Sequence, residues 1–411
     1  MNKRQKVFLL LFYTTLVCWA VSVAFCETQQ RVFFAVGQDL FADFFNNVRY
    51  VAGRDPYFDT ATPLSEHIYP PICYLIFYPF ACLYKLCGGI NMQEGLPAFW
   101  RSPAAMLSCT LFMVLSVIPL VWAVWRIVRR NVSRFVGMLL VSSFLLSGIM
   151  MFSFERGNLV VLAASALAVF MVRNEDGDAK AHAGGGWLSL AISMKIYPAL
   201  FVSLLIRNRR FVQIALVVLA SVALGFLPLL FFKHGMFENA FQLMQNVKAQ
   251  GTIYYNACPP NLSLSAYVAA AATVLDMNWL AFVSKALRYG LIVLGVCSFF
   301  GVWITDEKWK RWFLAAASAT LCSNFAGYYT LLYFIPAIYS YISSTESFRP
   351  IDWLYTISCL VLLTPFQFGL FPVRNDSVNP FLSACVIVAM TITILLEAYV
   401  KILASRCAKV K

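Results

Sequence analysis

Long apolar runs recur along the whole chain, and they restrict it to one class of fold. Each run has about 20 residues, the length that a helix needs to cross the hydrocarbon of a bilayer. The runs are continuous and do not alternate as barrel strands do, and no interval between them is long enough for an ordinary soluble domain. The sequence therefore predicts an all-α polytopic membrane protein in which residues 1–411 form a single integral membrane domain.

Counting the runs by length predicts a bundle of about twelve transmembrane helices. Lys3, Arg4 and Lys6 place the amino terminus in the cytoplasm by the positive-inside rule, and an even number of spans returns the carboxyl terminus to the same side. Arg126 and Arg134 would then lie outside, which indicates that a neighbouring span is re-entrant or miscounted. The predicted spans are residues 7–26, 68–87, 103–127, 134–153, 158–173, 185–206, 210–232, 279–303, 312–325, 330–344, 352–371 and 379–403.

The charge and cysteine content argue against two further classes of protein. A net charge of +13 is typical of nucleic-acid partners, but here the basic residues cluster beside the ends of the apolar runs, where membrane topology places them. The 12 cysteines are scattered through apolar segments without a CxxC pair or a Cys/His cluster, so we interpret them as packing residues rather than metal ligands. We expect the lipid bilayer as a partner and no nucleic acid.

Two long polar intervals separate the spans, at residues 27–67 and 233–262, and the count places both on the outer face. The first is rich in charge, although only 12% of the whole chain is charged. A carboxylate at a membrane surface can act as a general base towards a hydroxyl while nearby cations take up the negative charge of a departing phosphate. The first outer loop is therefore the candidate active site, and the plain alternative is that polar residues collect in any outer loop. The charged residues between Gln38 and Pro71 are Asp39, Asp43, Arg49, Arg54, Asp55, Asp59 and Glu66.

Three further motifs place polar groups beside or inside apolar runs. The sequence YPP at residues 69–71 opens the second span, where a helix tolerates proline in its first turn. Lys195 lies well inside the sixth span, so its ammonium must pair with an acidic group, reach a polar cavity or lose its proton. The sequence ERGN at residues 155–158 separates two spans, and we interpret it as an interhelical turn with a self-neutralising ion pair.

Later in the chain, amide, hydroxyl and aromatic groups recur in the intervals between spans. Asn261 and Ser263 end the second outer interval, and such a mix of groups suits sugar contact by hydrogen bonding and stacking. Tyr328 opens a late span, where an interfacial aromatic belt explains its presence nearly as well as sugar contact does.

Short motifs spread over residues 7–345 carry a resemblance to a known family. They are Asp39, Gly53, Asp55-Pro56-Tyr57, Tyr69-Pro70-Pro71, Lys195-Ile196-Tyr197-Pro198 and the basic Arg207, Arg209 and Arg210, with Asn261, Ser263 and Tyr328-Tyr329 less specific. Together they resemble glycosyltransferase family 87 of the GT-C superfamily, which includes the mycobacterial phosphatidylinositol mannoside mannosyltransferases. The sequence departs from the family pattern at Asp43 and Arg54, where an aromatic and a small residue are expected, and at residues 155–157, where many members have a Gly-Gln pair.

The resemblance implies a GT-C-like bundle with a functional first extracytoplasmic loop. It implies an inverting transfer of a sugar, mannose or another hexose or a pentose, from a polyprenyl-phosphate-linked donor to a lipid-linked or glycan acceptor. The expected location is the outer face of a bacterial cytoplasmic (inner) membrane, in the synthesis of a cell-envelope polysaccharide.

The resemblance also implies roles for the candidate residues. Such enzymes use an aspartate of the first outer loop as base, for which Asp39 is the better match and Asp43 the second. A lipid phosphate is already a good leaving group, so Lys195 with Arg49 or Arg54 can stabilise its charge without a metal or other cofactor. A divalent ion between the two aspartates is the alternative. The expected substrate-binding residues are Tyr57, Tyr69, Asn261, Ser263 and Tyr328.

Two other functions compete with this hypothesis. An exporter of polysaccharide or lipid-linked oligosaccharide would need no positioned base. An O-antigen polymerase or ligase would be expected to carry outer arginines, a histidine and a large late outer loop, whereas here the first loop is rich in acids and is the longest.

Overall fold

Helices form wherever the sequence carries an apolar run. A computed structural model of the protein describes residues 1–25, 40–58, 66–86, 102–175, 177–254, 262–323, 326–366 and 378–410. Within these ranges the secondary structure is helical, without strands, and every apolar run predicted as a span overlaps one helix or two successive helices. The all-α prediction is confirmed.

The helices of the first half of the chain are α1 (Lys3–Phe25), α2 (Ala42–Ala52), α3 (Pro71–Leu86), α4 (Pro103–Val128), α5 (Arg134–Leu145), α6 (Gly148–Arg156), α7 (Val160–Asn174) and α8 (Gly177–Met194). Those of the second half are α9 (Val202–Arg207), α10 (Phe211–Phe226), α11 (Gly235–Tyr254), α12 (Leu264–Val274), α13 (Asn278–Ile304), α14 (Lys308–Leu321), α15 (Ile335–Ile342), α16 (Ile351–Leu363) and α17 (Val378–Val410). Short 3₁₀ segments cover Tyr197–Phe201, Leu227–Phe231 and Tyr328–Phe334.

Several of these helices have the length and composition of membrane spans. In the described part of the chain, five are long and apolar enough to cross a bilayer, and α5 with α6 makes a sixth if this pair, bent by 49°, is one span. Shorter apolar helices such as α3 and α7 pack among them. These are the features of a multi-pass membrane protein. The five candidate spans are Lys3–Phe25, Pro103–Val128, Phe211–Phe231, Asn278–Ile304 and Pro380–Cys407.

The two polar intervals predicted as outer loops contain helices. The first holds α2, and the second holds α11. A search by apolar run length passes over α2 and α11, because half of their surface carries polar side chains. The second interval also packs on the first, since Asn246 of α11 donates hydrogen bonds to the carbonyls of Tyr57 and His67 at 3.1 and 3.2 Å.

Charged side chains gather at the end of the bundle where α4 finishes. Arg130 lines a cavity of about 180 Å³ together with Glu307 and Lys308, which lie at the start of α14. Residues 343–346 line the same cavity, close to the buried ion pair of 2.9 Å between Arg4 and Asp352. The arginine segment 126–134 therefore lies at the same end as the amino terminus, which supports the expectation that a neighbouring span is re-entrant or miscounted. We call this the basic end; it carries Arg4, Arg130, Arg207, Lys308 and Arg311.

Helix α7 connects the basic end with the opposite end of the bundle. Nearly all of its side chains are buried, and its small residues let α4 and α8 approach closely. At its carboxyl end, Arg210 donates to the main-chain and side-chain oxygens of Asn174 at 3.1 and 2.7 Å. A helix of this length spans about 22 Å. Its amino end therefore lies well away from the basic end, beside the candidate site.

Candidate active site

Asp43 lies in the first turn of α2, and the backbone around it fixes where that turn sits. Phe41 precedes the helix in a left-handed conformation with a φ of 54°. Its amide donates a hydrogen bond of 2.6 Å to the carbonyl of Glu155, and the Asn47 side chain donates back to the Asp43 carbonyl at 2.5 Å. The start of α2 is therefore fastened to the end of α6.

Gly157 makes this close approach of α2 and α6 feasible. Its φ of 63° is a conformation that residues with a Cβ rarely adopt. A Cβ at this position would lie 2.9 Å from the Cβ of Phe44 and 3.5 Å from the Cα of Phe41. A glycine is thus required for two reasons, the backbone angle and the contact with α2.

Both oxygens of the Asp43 carboxylate have donors from the turn between α6 and α7. Asn158 Nδ2 donates to Oδ2 at 2.6 Å, and Arg156 Nη2 lies 3.4 Å from Oδ1. The other end of the Asn158 amide accepts from the Val160 N–H at 2.8 Å, so the same side chain caps the start of α7. Our interpretation of residues 155–158 as a self-neutralising turn missed this pairing with Asp43.

Lys195 and Tyr69 complete the cluster around Asp43. The ammonium of Lys195 lies 4.5 Å from the centre of the Tyr69 ring, a cation–π geometry, and it interacts electrostatically with Asp43. Tyr69 also interacts electrostatically with Asp43. The Cys73 thiol donates to the Met194 carbonyl at 3.6 Å, which joins the start of α3 to the end of α8, where Lys195 follows.

The cluster is accessible from outside the protein core. Asp43 is 21% and Arg156 25% exposed, and Lys195 and Tyr69 are half-buried. Its members come from four separate parts of the chain: the start of α2, the approach to α3, the turn before α7 and the residue after α8. A carboxylate, two cations and an aromatic face therefore meet at one accessible place, which suits recognition of a sugar phosphate.

Two of the predicted substrate-binding tyrosines, Tyr57 and Tyr328, are buried and contact residues next to the cluster. Tyr57 is fully buried and donates from its hydroxyl to the Tyr69 carbonyl at 3.1 Å. Tyr328 is also buried and packs edge-on against Phe152 of α6, with ring centres 5.4 Å apart. These contacts make Tyr57 and Tyr328 positioning residues, and Tyr69 the tyrosine whose ring faces Lys195.

The arginines predicted beside the site are placed differently. Arg54 donates to the Phe231 carbonyl from Nε at 2.9 Å and from Nη2 at 2.5 Å, and its guanidinium lies 4.3 Å from the Phe231 ring centre. It holds the end of α2 against the residues before α11. Arg49 lies six positions after Asp43 on α2, about 120° around the helix from it. Neither arginine replaces Arg156, which the sequence prediction had not assigned to the site.

Of the three remaining predicted residues, one lies in the described part of the chain and two do not. Ser263 is buried and shares a hydrogen bond of 2.7 Å with Ser265 at the start of α12. Asp39 and Asn261 lie outside the described residues. Among the residues that are described, no three His, Cys, Asp or Glu side chains cluster as metal ligands, and because Asp39 is not among them the expectation of a metal-free reaction stays a prediction.

A family model decides between the functions considered above. The model for glycosyltransferase family 87 matches residues 67–332, which is more than half of the chain. The chain belongs to glycosyltransferase family 87. No curated protein matches it.

Family 87 membership makes the protein a glycosyltransferase, and it favours this activity over the exporter and over the polymerase or ligase. The matched region contains Tyr69, Arg156, Asn158 and Lys195, whereas Asp39 and Asp43 precede it. Asp43 thus comes from a part of the chain ahead of the matched region, and it meets Arg156 through the contacts between α2 and the turn before α7.

Proposed function

We propose that this family 87 protein transfers a hexose or pentose from a polyprenyl-phosphate-linked donor to a lipid-linked or glycan acceptor, with inversion at the anomeric carbon. The proposal includes the outer face of a bacterial inner membrane as its location, about twelve spans and cytoplasmic termini. The observation that supports it best is the meeting of Asp43, Arg156 and Lys195 beside Tyr69.

Lys195 and Arg156 supply the positive charge that such a reaction needs. As the bond between the anomeric carbon and the donor oxygen breaks, negative charge grows on the lipid phosphate. An ammonium and a guanidinium held in a partly desolvated place stabilise that charge more strongly than they would in water. The face of the Tyr69 ring keeps Lys195 directed into the cluster.

The base must take a proton from the acceptor hydroxyl while the new bond forms. Asp43 has an amide donor on one oxygen and a guanidinium on the other, so its charge holds Arg156 and Asn158 in place. We therefore assign Asp43 to the positioning of the cations and keep Asp39, which lies four residues earlier, as the proposed base.

Two variants test this division of roles. Purified Asp39→Asn and Asp43→Asn proteins are given a polyprenyl-phosphate donor with a radiolabelled sugar and the acceptor lipids of the native membrane. We expect Asp39→Asn to abolish transfer at unchanged protein abundance, and Asp43→Asn to retain a reduced rate with a weakened dependence on donor. Full transfer by Asp39→Asn would remove that residue from the mechanism.

The configuration of the product tests the inversion separately. NMR of the transferred sugar gives its anomeric configuration, which we expect to be opposite to that of the donor. Retention of configuration would require a covalent or double-displacement route and would contradict the proposal.

A further inference from the structure

A second cavity lies at the basic end, away from Asp43. It has a volume of about 660 Å³ and is lined mainly by Arg207, Arg209, Phe211, Trp303 and Arg311. Such a volume is within the range of small-molecule sites, about 300–1,000 Å³. Since α7 separates the two ends of the bundle by about 22 Å, this cavity is no part of the candidate active site.

The three arginines of this cavity carry more positive charge than their neighbours neutralise. Arg311 pairs with Glu175 at 3.7 Å. Arg207 donates to two carbonyls, those of Val302 and Trp303, at 2.9 and 2.6 Å, which are neutral acceptors. Arg207 and Arg311 repel each other, whereas Asp306 and Glu175 attract Arg207. Asp306 is itself paired with Lys401, so these two carboxylates face four cations. An anion bound between Arg207 and Arg311 would relieve their repulsion.

Arg209 is the third cation and is held in an unusual conformation. Its φ of 55° lies in the left-handed region, which is unfavourable for a residue other than glycine. The side chain is exposed, and no hydrogen bond or ion pair to it occurs within the described part of the chain. The guanidinium of Arg209 is therefore an exposed cation of the cavity lining, without a counter-charge among the described residues.

The aromatic residues of the cavity place it at the surface of the bilayer. Phe211 is the first residue of the candidate span Phe211–Phe231, and Trp303 is next to the last residue of Asn278–Ile304. Both side chains are partly exposed, at 63% and 39%. Aromatic residues at the ends of spans lie at the level of the lipid head groups, so an anion in this cavity would be attached to lipid.

We propose that this cavity binds the phosphate of an anionic membrane phospholipid, held by Arg207, Arg209 and Arg311, with the lipid's apolar part against Phe211 and Trp303. Basic pockets between membrane helices are suited to such head groups, and each arginine near the surface contributes about 1 kcal/mol, or about fivefold in affinity. The bound lipid would be a fixed component of this end of the protein rather than a substrate.

Native mass spectrometry of the full-length protein in neutral detergent tests the proposal. Phosphatidylglycerol and phosphatidylcholine are titrated in parallel, and we expect phosphatidylglycerol to bind at least about fivefold more tightly. Arg209→Gln should weaken phosphatidylglycerol binding about fivefold without loss of fold, because that side chain has no hydrogen-bond or ion-pair partner among the described residues. The matched control is Arg134→Gln, an exposed arginine at the same end that does not line this cavity.

The outcomes distinguish a specific phospholipid site from non-specific attraction by surface charge. Weaker binding in Arg209→Gln alone supports the proposal. Equal loss in Arg209→Gln and Arg134→Gln, or equal binding of the two lipids, would overturn it in favour of surface electrostatics. Displacement of phosphatidylglycerol by glycerol 3-phosphate at equal concentration would overturn the lipid assignment and leave a site for soluble phosphate esters.

Discussion

Asn158 and Asp43, which are 115 positions apart in the chain, share a hydrogen bond of 2.6 Å. The same Asn158 amide caps α7 through Val160, so one side chain sets both the start of a central helix and the direction of the carboxylate. This relationship links the fold to the site, because any shift of α7 relative to α2 moves Asp43 away from its donors.

The first prediction concerns Asn158 itself. Asn158→Ala removes one donor to Asp43 and the cap of α7, and a displaced site group costs about 10- to 100-fold in rate. We expect such a loss in turnover per folded enzyme, measured by transfer of labelled sugar. The control is Asn239→Ala, which removes another buried asparagine whose amide donates to the carbonyls of Lys233 and Gly235, away from Asp43. Equal losses in both variants would reduce Asn158 to a stability residue.

A second prediction compares two glycines. Gly157→Ala forces a Cβ into Phe44 at a positive φ and should lower the free energy of unfolding by about 1–3 kcal/mol, with loss of transfer. Gly53→Ala is the control, since Gly53 has an ordinary φ of −85° and open space around its Cβ position. Thermal unfolding in detergent measures both. A melting temperature of Gly157→Ala equal to that of Gly53→Ala would contradict the tight contact between α2 and α6.

The third prediction tests the charge of Lys195. Lys195→Met keeps most of the side-chain volume but removes the cation, so we expect transfer to fall about 100-fold or more. Lys195→Arg should restore part of the rate, because a guanidinium also stacks on the Tyr69 ring. Steady-state assays with varied donor measure the effect, and Lys401→Met, an exposed lysine at the basic end, is the control. Normal transfer by Lys195→Met would exclude a role in phosphate stabilisation.

A fourth prediction concerns the buried ion pair at the basic end. Asp352 is fully buried and bonds to Arg4 at 2.9 Å and to the Arg349 amide at 2.7 Å. Asp352→Asn leaves the Arg4 charge buried without a counter-charge, which should cost about 3–5 kcal/mol. Asp306→Asn breaks an exposed pair with Lys401 and should leave the melting temperature nearly unchanged. Similar melting temperatures for the two variants would contradict the buried position of Asp352.

Much of the fold was readable from the sequence because the bilayer imposes a length on each apolar run. The helices that escaped prediction, α2 and α11, are half polar, and no hydropathy threshold detects them. Counting every apolar run as one crossing put Arg126 and Arg134 outside, and the cavity shared by Arg130 and Lys308 supports the expectation that a neighbouring span is re-entrant or miscounted.

The site was readable only in part. Lys195 was identifiable because a lysine inside an apolar run is costly and needs a reason, and Tyr69 was identifiable because the YPP motif at residues 69–71 belongs to the family resemblance. Arg156 was misjudged because Glu155 beside it offered a local counter-charge, and a sequence contains no sign that its carboxylate partner is Asp43 in a distant interval. Sequence reasoning identifies which polar groups are unusual, but it does not identify their partners across the fold.

Asn246 ties the carbonyls of Tyr57 and His67 to one side chain of α11. The Tyr57 hydroxyl in turn donates to the carbonyl of Tyr69, whose ring faces Lys195. A movement of α11 would therefore be transmitted through two hydrogen-bonded side chains to the aromatic face of the candidate site, which couples the second polar interval to the charge of Lys195.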